Sequence, residues 1–460
     1  MKDRVKIIKY TYLSLFALVC LYLLYFNLFE ARVIYSNSYN RRLRESSNNI
    51  IRGSVLDKNG EVLVKSTKYK SGIKRTYVYP RYFSHIIGYS SANYGSSGLE
   101  ALYNKELMSS GDTMEDLRSK INDYYIKGNN IILTLDRSLQ VYAADQLRGK
   151  KGAIVVLRPD TGEILAMVSK PDFDPSGIQN NWESLINDKN SPLVNRASEG
   201  LYPPGSIFKL IVTSSILKNS LQGNEVECTG EVNVDGYTIK DSEGEAHGKI
   251  TLADALKHSC NSYFIRQGLL LGNSNLYNEA TRFRFNKKIQ TDIKITGSVF
   301  PGKNDNRSIA QQSIGQGEVL MTPLHAAMMA ASIANKGIMM QPYIVSNITN
   351  SENKIIKEFK PKQISQVMDE NTASTIKDMM VEVVKSGTGT RAKVSKVTVA
   401  GKTGTAEVSG GLKSHAWFVG FAPADSPEVA IAVLIENGGS GGSTAAPIAS
   451  KILKKALSIK

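Results

Sequence analysis

Twenty consecutive residues near the N-terminus, Tyr10 to Phe29, carry no charge, and this run limits what the chain can be more than any other feature. As a helix, an apolar segment of that length crosses a hydrocarbon core of about 30 Å. Lys2, Arg4, Lys6 and Lys9 precede it and keep residues 1–9 on the cytoplasmic side. Tyr10, Tyr12, Tyr25, Phe26 and Phe29 stand near its ends, as interfacial aromatics do. A cleaved signal peptide is the competing reading, but Asn27 to Glu30 offer no small-x-small cleavage site. The expected protein is single-pass, anchored through residues 10–29, with everything after about residue 30 outside the cytoplasm.

A net charge of +15 suits a negative surface such as lipid headgroups or a polyanionic wall. No zinc-finger spacing, aromatic RNA-binding signature or compact basic helix points to nucleic acid. The three cysteines are too few for a disulfide framework. Cys20 lies in the apolar run, and Cys228 and Cys260 are expected as free thiols. A zinc site made of Cys228, Cys260, His247 and His258 is set aside because their separations do not match short ligand pairs.

Beyond the anchor and a basic linker, residues 30–147 read as a short non-catalytic module, with a turn at Asn59-Gly60. Residues 148–460 read as the catalytic domain. "GAIVVLRPDTGEILAMVS" is a hairpin around a Pro-Asp-Thr-Gly turn. Helical patterns cover Ser206–Lys218, Thr251–Leu270 and Thr322–Asn335. Strand-like runs cover Lys396–Val408, Ala416–Ala422 and Glu428–Glu436. Strands early and late with helices between them predict an α/β (α+β) fold, with one sheet assembled from both ends and helices packed on it.

Two motifs are decoys. Gly401-Lys402-Thr403 resembles the tail of a phosphate loop, but the Walker pattern needs glycine at 396, which is Lys396. Gly438-Gly439-Ser440-Gly441-Gly442 fits a nucleophile elbow, yet no histidine follows His415. A serine enzyme with lysine as its base survives. Ser206-Ile207-Phe208-Lys209 follows Pro203-Pro204-Gly205 and opens an apolar periodic run, which is a helix start. Three residues apart, Ser206 and Lys209 share a face, and a desolvated lysine can act as a base. The spacing alone is common, recurring at Ser71, Ser215, Ser351 and Ser374. Ser259-Cys260-Asn261 interrupts a helical run, and Lys402-Thr403-Gly404 is the only Lys-Thr-Gly in the chain.

Ser-x-x-Lys, Ser-x-Asn and Lys-Thr-Gly in that order form the constellation of β-lactam-interacting enzymes. With "YPPGSIFK", "SCN", "IGQGEVLMTPLHAA", "GKTGTAE", "AWFVGFAP", "RGSVLDKNG" and "GSSGLE", the chain resembles a class B penicillin-binding protein over nearly its whole length. Lys58 stands where such proteins usually carry arginine. The resemblance implies a penicillin-binding transpeptidase fold: a central antiparallel sheet flanked by helices, a small N-terminal pedestal and one transmembrane helix. It implies a peptidoglycan D,D-transpeptidase that needs no cofactor or metal, acts on stem peptides, is blocked by β-lactams and works with a membrane glycan polymerase.

In the implied roles, Ser206 is the nucleophile and Lys209 its base. Ser259 relays the proton to the leaving D-Ala, and Asn261 holds the substrate amide. Lys402 supplies positive charge, while Thr403 and Thr405 bind the terminal carboxylate. Gly404 gives the substrate backbone room, and the N–H groups of Ser206 and Thr405 form the oxyanion hole. Gly315, Gln316 and Gly317 shape a nearby loop, and Cys260 is read as an apolar filler. A D,D-carboxypeptidase would use the same groups, and a β-lactamase would add a hydrolytic base, for which Glu199 and Glu407 are the open choices. A membrane sensor would need more spans or a cytoplasmic effector. A silent assembly scaffold would not need the intact catalytic set.

Overall fold

The computed structural model describes residues 2–26, 50–70, 72–110, 125–408 and 410–459. Helix α1 (Lys2–Tyr25) is long and apolar enough to cross a membrane over Arg4–Tyr25. It starts eight residues before the apolar run, because basic residues do not interrupt helical hydrogen bonding. The end of that run, Asn27–Phe29, and the linker to residue 49 lie outside the described residues.

The N-terminal module is built on a sheet that two distant segments complete. It contains β1 (Val55–Leu56), β2 (Val62–Tyr69), β3 (Gly72–Tyr77) and β4 (Asn130–Leu133). The "RGSV" and "GSSGLE" motifs meet here: Arg52 and Arg75 each place Nε on the fully buried Glu100 carboxylate, at 2.5 and 2.8 Å. Burial pushes that carboxyl up, and the two guanidiniums outweigh it and hold it below its usual range. Lys58 pairs with Asp136 at 3.2 Å. Helix α2 (Arg137–Gln146), which the sequence leaves in this module, instead packs its Leu139, Ala143 and Ala144 into the core of the following domain. Both ends of the Gln140 side chain hold the Met167 backbone at 2.8 Å.

The second domain contains β5 (Gly152–Leu157), β6 (Ile164–Lys170), α3 (Lys209–Lys218), β7 (Glu231–Val234), β8 (Tyr237–Lys240), α4 (Leu252–His258), α5 (Asn261–Arg282), α6 (Asn306–Ser313), α7 (Pro323–Ala334), β9 (Val345–Thr349), β10 (Ile355–Glu358), α8 (Glu370–Ser386), β11 (Ala400–Ala406), β12 (His415–Ala422), β13 (Val429–Ile435) and α9 (Ala446–Ser458). Its antiparallel sheet runs β6-β5-β13-β12-β11, so strands from both ends of the domain join in one sheet, as expected. Both faces are covered, which explains why "GAIVVL" and "VAIAVLI" are apolar throughout. Ala153, Val155 and Leu157 join the core formed with α3, α5 and α7, while Ile154 and Val156 join that of α2 and α9. Strand β9 is the departure from the sequence reading. It leaves this domain and pairs with β4, so the first module's sheet runs β10-β9-β4-β1-β2-β3. Short and broken by a register shift, β9 carries no distinct periodicity.

Candidate active site

Proline and glycine set the entrance to the nucleophile. Gly205 takes φ +54°, and a Cβ there would lie 2.7 Å from the Thr405 carbonyl oxygen. Its N–H donates to the Gly315 carbonyl at 2.9 Å. Residues Gly205–Phe208 form a 3-10 turn that runs directly into α3, so Ser206 and Lys209 keep the one-turn relation expected of a helix start. Ser206 is half-buried at the cleft, whereas Lys209 is fully buried.

Ser259 has φ +60°, a left-handed break between α4 and α5 that presents its hydroxyl inward. Lys209 Nζ donates to Ser259 O at 2.6 Å and Asn261 Oδ1 at 2.7 Å, and lies 3.4 Å from Ser259 Oγ. From the edge strand β11, Lys402 Nζ donates to Ser259 Oγ at 2.8 Å. Two amines therefore flank one hydroxyl, although about two hundred residues separate Lys402 from Ser206. Among the described residues the Ser206 hydroxyl makes no hydrogen bond, and none joins it to Lys209. Instead, Lys209 is drawn to Ser259 O and Asn261. Burial lowers the Lys209 ammonium to about 8, against smaller opposing effects of Cys260 and Asp241. Burial, with Lys209 adding repulsion, also pushes Lys402 well below the usual lysine range.

A cleft of about 600 Å³ collects Ser206, Ser259, Asn261, Thr403 and Thr405 on one surface. Thr403 Oγ1 lies 2.6 Å from Thr388 Oγ1, and Thr405 Oγ1 accepts from Gly441 N at 3.3 Å. Asn261 Nδ2 donates to Lys240 O at 2.8 Å, and one amide proton remains for a ligand. Gln316 and Gly317 line the same cleft, and the Gly315 carbonyl braces the nucleophile turn. Gly404 also has a task within the fold. A Cβ there would lie 3.0 Å from Pro204 O, Ile207 Cγ2 and Trp417 Cβ, so the glycine admits the nucleophile's own lead-in.

Sequence reasoning missed Asp241 altogether. Its carboxylate accepts from Asn261 N, Ser262 N and Ser262 Oγ, and so anchors the Ser-x-Asn turn. Burial raises that carboxyl, but these bonds, with Cys228 and Lys209, hold it below its usual range. Asp241 also completes a group with Cys228, His247 and Cys260 whose ligand atoms all lie within 4.8 Å of one another. His247 Nδ1 and Asp241 Oδ2 stand 3.2 and 3.3 Å from Cys228 Sγ. Those two separations come near the edges of a zinc tetrahedron, roughly 3.3–3.8 Å for bonds of 2.0–2.3 Å, and the others are bounded by 4.8 Å. The set expected to be unsuitable therefore does converge, with Asp241 in place of His258, which is exposed. The three cysteines are free thiols, and buried Cys260 caps α5 through Tyr263 N as well as filling space.

Two further groups missed from sequence are Arg196 and Glu436. Arg196 Nε and Tyr202 OH both bond Glu436 Oε1 at 2.7 Å, pinning the segment ahead of Pro203 to the end of β13. Of the two carboxylates considered for hydrolysis, Glu199 pairs with Lys294 at 2.7 Å away from the cleft lining, and Glu407 lines the cleft.

Comparison with known proteins agrees with this geometry. The penicillin binding protein transpeptidase domain model matches residues 152–454, and the penicillin binding protein A dimerisation domain model matches 52–131. Peptidoglycan D,D-transpeptidase PbpA of Mycolicibacterium smegmatis is 32% identical over 420 residues, 83% of this chain and 84% of that protein. Among solved structures, a ceftriaxone acyl-enzyme of penicillin-binding protein A from M. tuberculosis superposes with TM-score 0.85 at 30% identity, over 90% of this chain and all of that one. The D,D-transpeptidase domain of a peptidoglycan glycosyltransferase from Eggerthella lenta gives 0.82 at 32%, over 89% and 99%. A matched transpeptidase domain over most of its length, preceded by a matched dimerisation domain, shows that the chain belongs to the class B penicillin-binding proteins.

Proposed function

We propose that this chain is a membrane-anchored peptidoglycan D,D-transpeptidase and a target of β-lactams. The observation that carries the reading is the Ser259 hydroxyl held between Lys402 Nζ and Lys209 Nζ in the cleft that Ser206 opens on. A neutral Lys209 has two N–H groups, which suit Ser259 O and Asn261 Oδ1, and one lone pair left for the Ser206 proton. Ser206 Oγ then attacks the carbonyl of the penultimate D-Ala, and the N–H groups of Ser206 and Thr405 hold the developing oxyanion. Each such donor is worth roughly 2.7–4 kcal/mol.

The peptide bond to the terminal D-Ala breaks, and Ser259 delivers the proton to its nitrogen. Thr403, Thr405 and Lys402 receive the terminal carboxylate. That anion restores the charge on Lys402 that burial disfavours. An amine from a second strand takes the acyl group from Ser206 and forms the cross-link. The basic residues ahead of the α1 apolar core support a cytoplasmic N-terminus and a cleft that faces the wall and a glycan polymerase.

The test is labelling by a fluorescent penicillin. Wild type labels and holds the label, and Ser206→Ala does not label. Equal labelling of the variant, or a modified peptide elsewhere, would refute Ser206 as nucleophile, and rapid loss of label from wild type would point to hydrolysis.

A further inference from the structure

The cleft carries a charge that the reaction as described leaves without a task. Thr403, Thr405 and Glu407 all line it, so the period-two alternation of β11 continues one step past the strand's last residue, Ala406. Glu407 is exposed, and its carboxylate makes no ion pair or hydrogen bond among the described residues. The other carboxylate lining the cleft, Asp241, is occupied by Asn261, Ser262 and Cys228. Glu407 is thus the lining carboxylate left to meet a ligand.

Its place along the strand says which part of the ligand. β11 is the edge of its sheet, with β12 on one side and the cleft on the other. An extended peptide adds to such an edge as one more strand. Under the proposed function, the donor's terminal carboxylate lies by Lys402 and Thr403 and its reacting carbonyl at Thr405. A donor antiparallel to β11 then runs back from Thr405 toward Glu407, about 7 Å further on at 3.3–3.4 Å per residue. The residue preceding the two D-Ala stands about one residue, roughly 3.4 Å, back from the reacting one, and its side chain has to cover the remaining distance to Glu407. In peptidoglycan stems that residue is a diamino acid with a long side chain that ends in an amine.

We propose that Glu407 recognises the protonated side-chain amine of that residue, so that it selects donor stems whose amine is free. The inference rests on the transpeptidase reading of the cleft. It concerns the acylation step, because the register places Glu407 beside the donor. The acceptor amine attacks at the Ser206 acyl group, whose carbonyl lies by Thr405, two positions back along β11 from Glu407.

The probe is an acylated L-Lys-D-Ala-D-thiolactate donor, with the lysine ε-amine either free or acetylated, assayed for thiolactate release. Wild type prefers the free amine, and added salt weakens that preference. An exposed ion pair of this kind accounts for about a two- to fivefold preference, and Glu407→Gln abolishes it while Glu407→Asp keeps part of it. Penicillin labelling of Ser206 persists in both variants, which shows them folded. The proposal is overturned if wild type does not distinguish the donors. It is also overturned if Glu407→Gln slows both donors alike, or if the loss appears only when an amine acceptor is added. Failure of wild type to label with penicillin would overturn the transpeptidase reading itself.

Discussion

Replacing Gly205 by alanine separates two costs that the structure keeps distinct. At φ +54° an alanine occupies the left-handed region, at about 1–2 kcal/mol, less roughly 0.4–1 kcal/mol from the stiffer unfolded chain. Its Cβ would also lie 2.7 Å from Thr405 O and 3.1 Å from Ala406 Cα, both backbone atoms of β11 that no rotamer change can relieve. Overpacking of this kind costs about 1–3 kcal/mol. The expected total is about 2–4 kcal/mol, or a fall in melting temperature of roughly 3–6 °C for a domain of this size.

The activity loss should exceed the stability loss. The same movement separates the Thr405 N–H from the Ser206 N–H, and losing one oxyanion donor costs about 10²–10³ in rate. Stopped-flow acylation by a chromogenic cephalosporin, on protein verified as folded by circular dichroism, measures this. Gly149→Ala is the control, because Gly149 has φ +73° with nothing within 4 Å of an added Cβ. It should lose about 1 kcal/mol and acylate at the wild-type rate. Gly205→Ala acylating within threefold of wild type, or the two variants losing equal stability, would refute the claim that Gly205 exists to bring the nucleophile against β11.

Other predictions follow from the same contacts. Acylation should rise with pH through about 8, since burial lowers Lys209 to that value and only its neutral form accepts the Ser206 proton; at pH 7 roughly a tenth is neutral. A rate flat between pH 6 and 9 would contradict this. Glu436→Ala should cost about 3–5 kcal/mol by leaving the largely buried Arg196 uncompensated, measured by chemical denaturation. A cost below 1 kcal/mol would show that the Asn190 and Ser191 carbonyls suffice for Arg196.

Local physics determined what the sequence could show. Charge-free length marked the anchor. Pro-Pro-Gly before an apolar periodic run set Ser206 and Lys209 one turn apart, because helix geometry depends on near neighbours. Alternation about Lys402 marked a strand, and the break at Ser259-Cys260-Asn261 marked where a helix had to restart. Tertiary structure decided the rest. Only the strand order makes β11 an edge and brings Lys402 to the hydroxyl that Lys209 approaches from the other side. Only folding shows that Gly404 packs on Pro204, that Asp241 anchors the turn, and that β9 completes the other module's sheet. Contacts of this kind join residues up to two hundred positions apart. They depend on which surfaces meet, whereas periodicity reports only which face of an element is apolar.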